Sequence, residues 1–315
     1  MCESLVVFCV IYKSITYDKF TIEKLYKRSY RLCDGIRKKD SPPIVLTFFD
    51  MEHMENTVLD KYKHSSMKKI IISLIALMTV TIMQAQLTVN QTYLTLNNGV
   101  QMPQFGIGVY CIADGEDTYN SVLTALKCGY RHIDTAHAYQ NERSVGRAVK
   151  DSGIDRSEIW ITSKLWPNEY GEGKTLKAID RMLGRLGVDY IDLVYFHQPI
   201  GDYVGGWKEM EKALESGKVR AIGISNFDVN DSIWNSLVET ARIKPQVVQI
   251  ECHPYAQREH WQQMAKKHNI QIECWFPLGG RESKGELLRD PVINEIAKAH
   301  GKSAAQIIIR WHMQM

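Results

Sequence analysis

A chain of 315 residues that is 44% hydrophobic and 24% charged has the balance of a folded globular protein, which excludes a disordered or fibrous one. Its net charge of +3 is too small to point to nucleic acid or a membrane surface, and no Lys/Arg stripe interleaved with aromatics is present. The length suits one barrel-sized domain of about 250 residues or two smaller ones.

Residues 1–66 show no sustained hydrophobic period. Met67-Lys68-Lys69 then opens an uncharged apolar run over 70–83, closed by Gln84-Ala85-Gln86. The run is shorter than the roughly 20 residues that span a bilayer core of ~30 Å. A basic start, a short apolar stretch and a small residue before a polar one are the parts of a secretory signal peptide. Residues 67–85 are therefore expected to be one, with Met67 as the natural start, 1–66 as an unassigned extension and 86–315 as the folded domain. Export to the periplasm or beyond would follow if the signal is used, and a cytoplasmic address otherwise.

Beyond Gln86, residues 93–102 carry Asn98-Gly99 between two β-like arms and predict a hairpin. Short β-rich runs follow at 105–110, 131–135, 159–164, 191–196, 219–224, 247–251 and 270–275. Amphipathic stretches such as 118–128, 176–186, 207–214 and 259–268 lie between them. Alternation of this kind predicts βαβ units around a parallel sheet. The runs recur at close to the roughly 30-residue spacing of an eight-unit (β/α) barrel. A doubly wound open sheet competes less well, because no Gly-x-Gly-x-x-Gly follows an early strand. After the seventh run Asp290-Pro291 opens one helix and Ser303 caps another. The expected fold is thus an α/β (β/α)8 TIM barrel with seven of eight strand–helix units, an N-terminal hairpin and two unpaired edges where closure should be.

Seven cysteines (Cys2, Cys9, Cys33, Cys111, Cys128, Cys252, Cys274) contain no Cys-x-x-Cys pair. Their linear spacing offers neither a zinc nor a dithiol motif, so buried free thiols and no metal are expected.

In such a barrel the active site lies at the C-terminal ends of the strands. Asp134 ends the second run with Tyr139 in the loop beyond it, Lys164 ends the third, and His197 follows the fourth. Alone, each has a bland explanation: packing for the tyrosine, helix capping for the aspartate, a core contact for the histidine. Together at one mouth they suit proton-coupled hydride transfer to a carbonyl. An ammonium beside a phenol favours phenolate, so Lys164 is expected to bring Tyr139 below its ordinary pKa near 10. Asp134 would hold Lys164 charged, and His197 would orient the carbonyl oxygen.

Several long segments carry a family resemblance. Gly129-Tyr130-Arg131-His132-Ile133-Asp134-Thr135-Ala136, Tyr139-Gln140-Asn141-Glu142 and Gly146 form the first. Leu193-Val194-Tyr195-Phe196-His197-Gln198-Pro199, the stretch from Gly217-Lys218-Val219 to Ser225-Asn226-Phe227, and Gln249-Ile250-Glu251-Cys252-His253-Pro254-Tyr255 are the others. From about residue 93 to 315 the chain resembles the aldo-keto reductases, most closely the bacterial 2,5-diketo-gluconate reductase-like branch.

The resemblance implies an enzyme reducing aldehydes or ketones, sugar-derived carbonyls included, with NADP(H) or else NAD(H). It implies Tyr139 as proton donor, Lys164 and Asp134 as its tuning pair, and His197 as the carbonyl-orienting residue. Ser225, Asn226 and Gln249 would bind the nicotinamide carboxamide. Trp275 would replace the family's tyrosine beneath the ring, and Leu278 and Gly279 would approach the pyrophosphate. Tyr110 and Trp166 match substrate-pocket positions, or rim packing.

The family continues with an eighth strand and basic residues for the adenosine 2′-phosphate, which this sequence lacks after Met315; truncation is the expectation. The partners expected are a small carbonyl substrate and no nucleic acid, for a monomer without a stable membrane span. The alternative is a catalytically inactive barrel that at most binds the nicotinamide cofactor.

Overall fold

The computed structural model describes residues 6–10, 91–280 and 283–315. The signal-like segment 67–85 and nearly all of the 1–66 extension lie outside the described residues. No helix among the described residues is long and apolar enough to cross a membrane.

Strands alternating with helices build a closed parallel barrel. In chain order its wall strands are β1 (Val6–Val10), β4 (Phe105–Gly108), β5 (His132–Asp134), β6 (Trp160–Leu165), β7 (Ile191–Phe196), β8 (Val219–Ser225), β9 (Val247–Glu251) and β10 (Gln271–Trp275). The antiparallel pair β2 (Tyr93–Thr95) and β3 (Gln101–Pro103) is the hairpin, with Gly99 at φ 83° in its turn. Asn-Gly supplies the left-handed backbone such a turn requires. Asn97 and Asn98 donate side-chain hydrogen bonds to the Pro245 and Arg220 carbonyls, tying the hairpin to the strands.

Residues 93–315 thus contribute seven wall strands, as their periodicity predicts. The eighth place is filled from the opposite end of the sequence. Strand β1 pairs in parallel with β10 (Val6 opposite Glu273) and with β4 (Val7 opposite Phe105 to Val10 opposite Gly108). The two edges expected to stay open are therefore both paired. The physical reason is that backbone ladders need a neighbouring strand of matching length, not one of adjacent sequence. Removing residues 1–12 should expose both edges. We expect the shortened chain to aggregate, measured by light scattering at low micromolar concentration, while the full chain stays dispersed; equal behaviour would contradict a closing role for β1.

The helices are α1 (Glu116–Lys127), α2 (Glu142–Asp151), α3 (Thr175–Leu186), α4 (Tyr203–Glu215), α5 (Asp231–Val238), α6 (Glu259–Lys267), α7 (Glu286–Arg289), α8 (Pro291–Ala299) and α9 (Ala304–His312). Asp290 caps α8 by accepting from the Ile293 N–H, with Pro291 at its first position. Ser303 caps α9 in a reciprocal box with Gln306. Both starts follow from the sequence. Helix α2 does not, because its short apolar stripe (Val145, Ala148, Val149) is buried together with Glu142, Ser144 and Gly146, and Gly146 lies so close to the α3 terminus that a Cβ would sit 1.9 Å from the Leu186 carbonyl oxygen.

Successive strand residues point to opposite faces. One set (Ile161, Leu165, Val194, Phe196, Ile222, Ile224, Val248, Ile250) packs outward under the helices in the main core. The other set faces inward. Met102, Trp160, Leu193, Tyr195, Ala221 and Val247 fill the lower interior. Gly223 leaves room for the Tyr195 ring, since a Cβ there would lie 2.5 Å from Tyr195 Cε1. Above this apolar floor the inward positions become polar, and that change of character creates the site.

Candidate active site

Inward alternation carries Asp134 on β5, Lys164 on β6 and Gln249 on β9 to a common level. Lys164 Nζ donates to Asp134 Oδ1 and Oδ2 at 2.5 and 2.6 Å and to the Thr135 carbonyl at 3.1 Å. It also lies 3.4 Å from the Tyr139 hydroxyl oxygen. An ammonium can only donate, so the phenolic proton is left for another acceptor. A short 3-10 turn (His137–Tyr139) delivers Tyr139, and Gln140 closes it in a left-handed conformation.

His197 continues the inward side of β7. Its ring meets Tyr139 edge-on at 5.7 Å and Trp166 at 5.1 Å. The four sequence-predicted catalytic candidates are therefore in one place.

Asp134, Tyr139 and His197 border a cavity of about 610 Å³, within the range of small-molecule sites, and Lys164 is buried against the first two. Tyr110, Trp166, Ser225, Asn226, Gln249 and Trp275 border it as well. Asn226, at φ 64°, commits its amide nitrogen to the His197 carbonyl (2.9 Å) and to Ser225 Oγ (3.1 Å). Gln249 commits its own to Asp134 Oδ2 (3.0 Å) and to Glu273. Leu278 and Gly279 are not among the cavity's lining residues. They form a turn beyond β10 in which the Gly279 N–H donates to the Phe276 carbonyl at 2.8 Å.

The electrostatics are set by burial. Desolvation raises Asp134, and the adjoining Lys164 offsets only part of that rise. Burial also opposes the Lys164 charge, yet Asp134, Tyr139 and Glu273 together outweigh it and leave the ammonium above its ordinary pKa. For Tyr139 burial outweighs the lysine, and the phenol is pushed up to about 12. That corrects the expectation of a lowered value, because removing phenolate from water costs more than one ammonium at 3.4 Å returns. Burial, then Lys164, lowers His197 to about 3, so the ring is neutral.

Several site residues escape sequence reasoning. Glu273, fully buried on β10, accepts from Gln249, and its carboxyl is pushed well up by burial and by Asp134. Its inward position follows from its place between Gln271 and Trp275, the only signal that could have found it. Phe276, at φ 50°, sets its ring edge-on to Trp275 at 4.8 Å. Arg258 reaches the cavity while bonded to the Glu251 carbonyl and carboxylate.

Residues 106–315 match the Aldo/keto reductase family. This chain belongs to that family. It is 46% identical over 226 residues to a 9,11-endoperoxide prostaglandin H2 reductase of Trypanosoma cruzi (strain CL Brener), covering 71% of this chain and 79% of that protein. It is 44% identical over 220 residues to a glyoxal reductase of Bacillus subtilis (strain 168), covering 70% and 78%. Among solved structures, a Bombyx mori aldo-keto reductase in complex with NADP has a TM-score of 0.66 and 30% identity, over 71% of this chain and 80% of that one.

The aldo/keto reductase cavity offers groups suited to a nicotinamide. His197 Nδ1 and Trp275 Nε1 are buried without partners, and the indole borders an aromatic wall. A flat heteroaromatic ring could stack there.

Proposed function

We propose that this aldo/keto reductase reduces aldehydes and ketones to alcohols with NAD(P)H, in the cavity bordered by Tyr139, Asp134 and His197, with Lys164 buried against the first two. The observation that carries this reading is a phenol whose oxygen already accepts from a buried, carboxylate-held ammonium, leaving its proton directed elsewhere. Bound NAD(P)H supplies the hydride. Ser225, Asn226, Gln249 and Trp275 would hold the nicotinamide, the first three by polar contacts and the indole by stacking. Leu278 and Gly279 would act only beyond the cavity, toward the pyrophosphate. The 2,5-diketo-gluconate reductase resemblance favours sugar-derived carbonyls as one substrate class, and Tyr110 and Trp166 would border the substrate.

His197, being neutral, can donate one hydrogen bond to the carbonyl oxygen without giving up a full proton. Tyr139 then protonates the oxygen as negative charge develops there. A phenol near 12 is a weak acid beside water, yet an alkoxide is a base of roughly water's strength, ~15.7, so the transfer runs downhill. Lys164 stabilises the phenolate left behind, and Asp134 keeps the ammonium in place.

The two directions should therefore respond differently to pH. Reduction needs protonated Tyr139, which a pKa of about 12 secures throughout pH 5–9, so the reductive kcat/KM should show no fall assignable to this group. Alcohol oxidation needs the phenolate and should rise steadily over the same range. Stopped-flow rates with NADPH and with NADP+ check both limbs; a reductive limb falling near neutral pH would contradict the burial-raised phenol.

If the segment 67–85 served as a signal peptide, export would remove β1 with residues 1–85, so export and closure of the barrel by Val6–Val10 are alternative fates of the chain. The folded enzyme would act as a monomer. Following NADPH absorbance with the full chain and a broad aldehyde panel tests the main reading. Cofactor fluorescence quenching without turnover would instead favour a barrel that only binds nicotinamide.

A further inference from the structure

The geometry points to a structural zinc site formed by Cys252, Cys274 and His312, on the outer side of the barrel wall. Cys274 alternates with the inward Glu273 and Trp275 and so faces outward from β10, while Cys252 follows the end of β9. His312 is the last residue of α9. All three are fully buried, and one ligand atom from each lies within 4.8 Å of the others.

The imidazole is already set for a metal. Its Nε2 lies 3.2 Å from the Pro277 carbonyl oxygen, a partner that can only accept, so this nitrogen carries the proton. The lone pair is therefore on Nδ1, which is buried with no hydrogen-bond partner. A ligating histidine usually has its other N–H held in this way by a backbone carbonyl.

Two thiolates and a neutral imidazole form a soft donor set. Zinc is preferred to a monovalent ion because its two charges cancel those of two thiolates, leaving a neutral centre in a site closed to water. Bond lengths of ~2.3 Å to sulfur and ~2.0 Å to nitrogen bring tetrahedral ligands to roughly 3.5–3.8 Å apart, so ligand atoms within 4.8 Å of one another need close by at most about 1.0–1.3 Å. The Gln257 carbonyl, 3.7 Å from the Cys252 sulfur, is an oxygen at hand for the fourth position. Binding releases the two thiol protons. The ion would join β9, β10 and α9 and brace the turn that carries Phe276 and Pro277 beside the cavity. Linear spacing conceals the site, since its ligands come from three separate elements.

The test uses the full chain without a histidine tag, produced with zinc and reductant and then passed through chelator and gel filtration. We expect an equimolar amount of zinc by plasma mass spectrometry. Cobalt exchanged into the same protein should give a near-ultraviolet sulfur-to-cobalt charge-transfer band, lost in Cys274→Ala and weakened in His312→Gln. The cobalt spectrum of the unsubstituted chain keeps the test decisive should a variant fail to fold. Metal-free protein with both thiols reduced would overturn the proposal. So would a Cys252–Cys274 disulfide, seen as a reductant-reversible mass loss.

Discussion

Replacing Tyr139 with Phe should lower the reductive kcat by about 10²–10⁴, the range associated with one positioned proton donor. The ring would still meet His197 and Tyr110, so the fold and cofactor affinity should hardly change. Deleting the oxygen also removes one acceptor of Lys164, but three oxygens from Asp134 and Thr135 remain around the ammonium. A variant retaining more than a tenth of the rate, with unchanged circular dichroism and unchanged NADPH quenching, would assign the proton to another group. Water reaching through the open mouth would then be the next candidate.

The larger effect on stability is expected at Lys164→Met. Methionine fills comparable volume, yet it leaves Asp134 buried with Gln249 as its remaining side-chain donor. Removing one partner of a buried ion pair costs about 3–5 kcal/mol. The variant's pH profile identifies the cause. Without the ammonium, Asp134 would fold as the neutral acid, with a pKa further above its unfolded value. Its stability contribution would be complete below the unfolded pKa and lost as pH rises through the folded one. Urea midpoints for Lys164→Met should therefore fall between pH 5 and 8. In the parent chain the neutral His197 and His132, each lowered to about 3 chiefly by burial, act in the opposite sense. The unfolded chain binds protons there first, so these two histidines lower parent stability as pH drops below about 6.5, by at most ~1.4 kcal/mol per pH unit each, against the opposing slope of the raised Glu273 and Asp134 carboxyls. A Lys164→Met chain with the parent's pH slope would contradict the ion-pair explanation.

The sequence was most informative where local chemistry dictates structure. Short β-rich runs alternating with amphipathic stretches gave the seven strands from 105 onward, Asn98-Gly99 gave the hairpin, and Asp290-Pro291 and Ser303 gave two helix starts. Strand ends gave the positions of Asp134, Lys164 and His197, because the barrel brings those ends to one mouth. What stayed hidden depends on long-range geometry. Helix α2 has only a short apolar stripe (Val145, Ala148, Val149) and buries Glu142 and Ser144 beside it, which pair with Arg185, Ser163 and Asp114, so long-range polar partners complete its buried face. Strand β1 is remote in sequence from both partners it pairs with. The direction of the Tyr139 shift depends on how deeply the phenol is buried, which motif spacing cannot report. Glu273, Phe276 and Arg258 join the site only once the β9 and β10 ends are placed side by side.

Hydride delivery to a carbonyl inside this cavity, with the proton coming from Tyr139, is followed most directly by isotope. NADPH deuterated at the transferring position of nicotinamide C4 should give an alcohol with deuterium on the carbinol carbon in a single turnover, and Tyr139→Phe should slow that labelling by about 10²–10⁴. An unlabelled alcohol, or labelling at the parent rate in Tyr139→Phe, would contradict the mechanism.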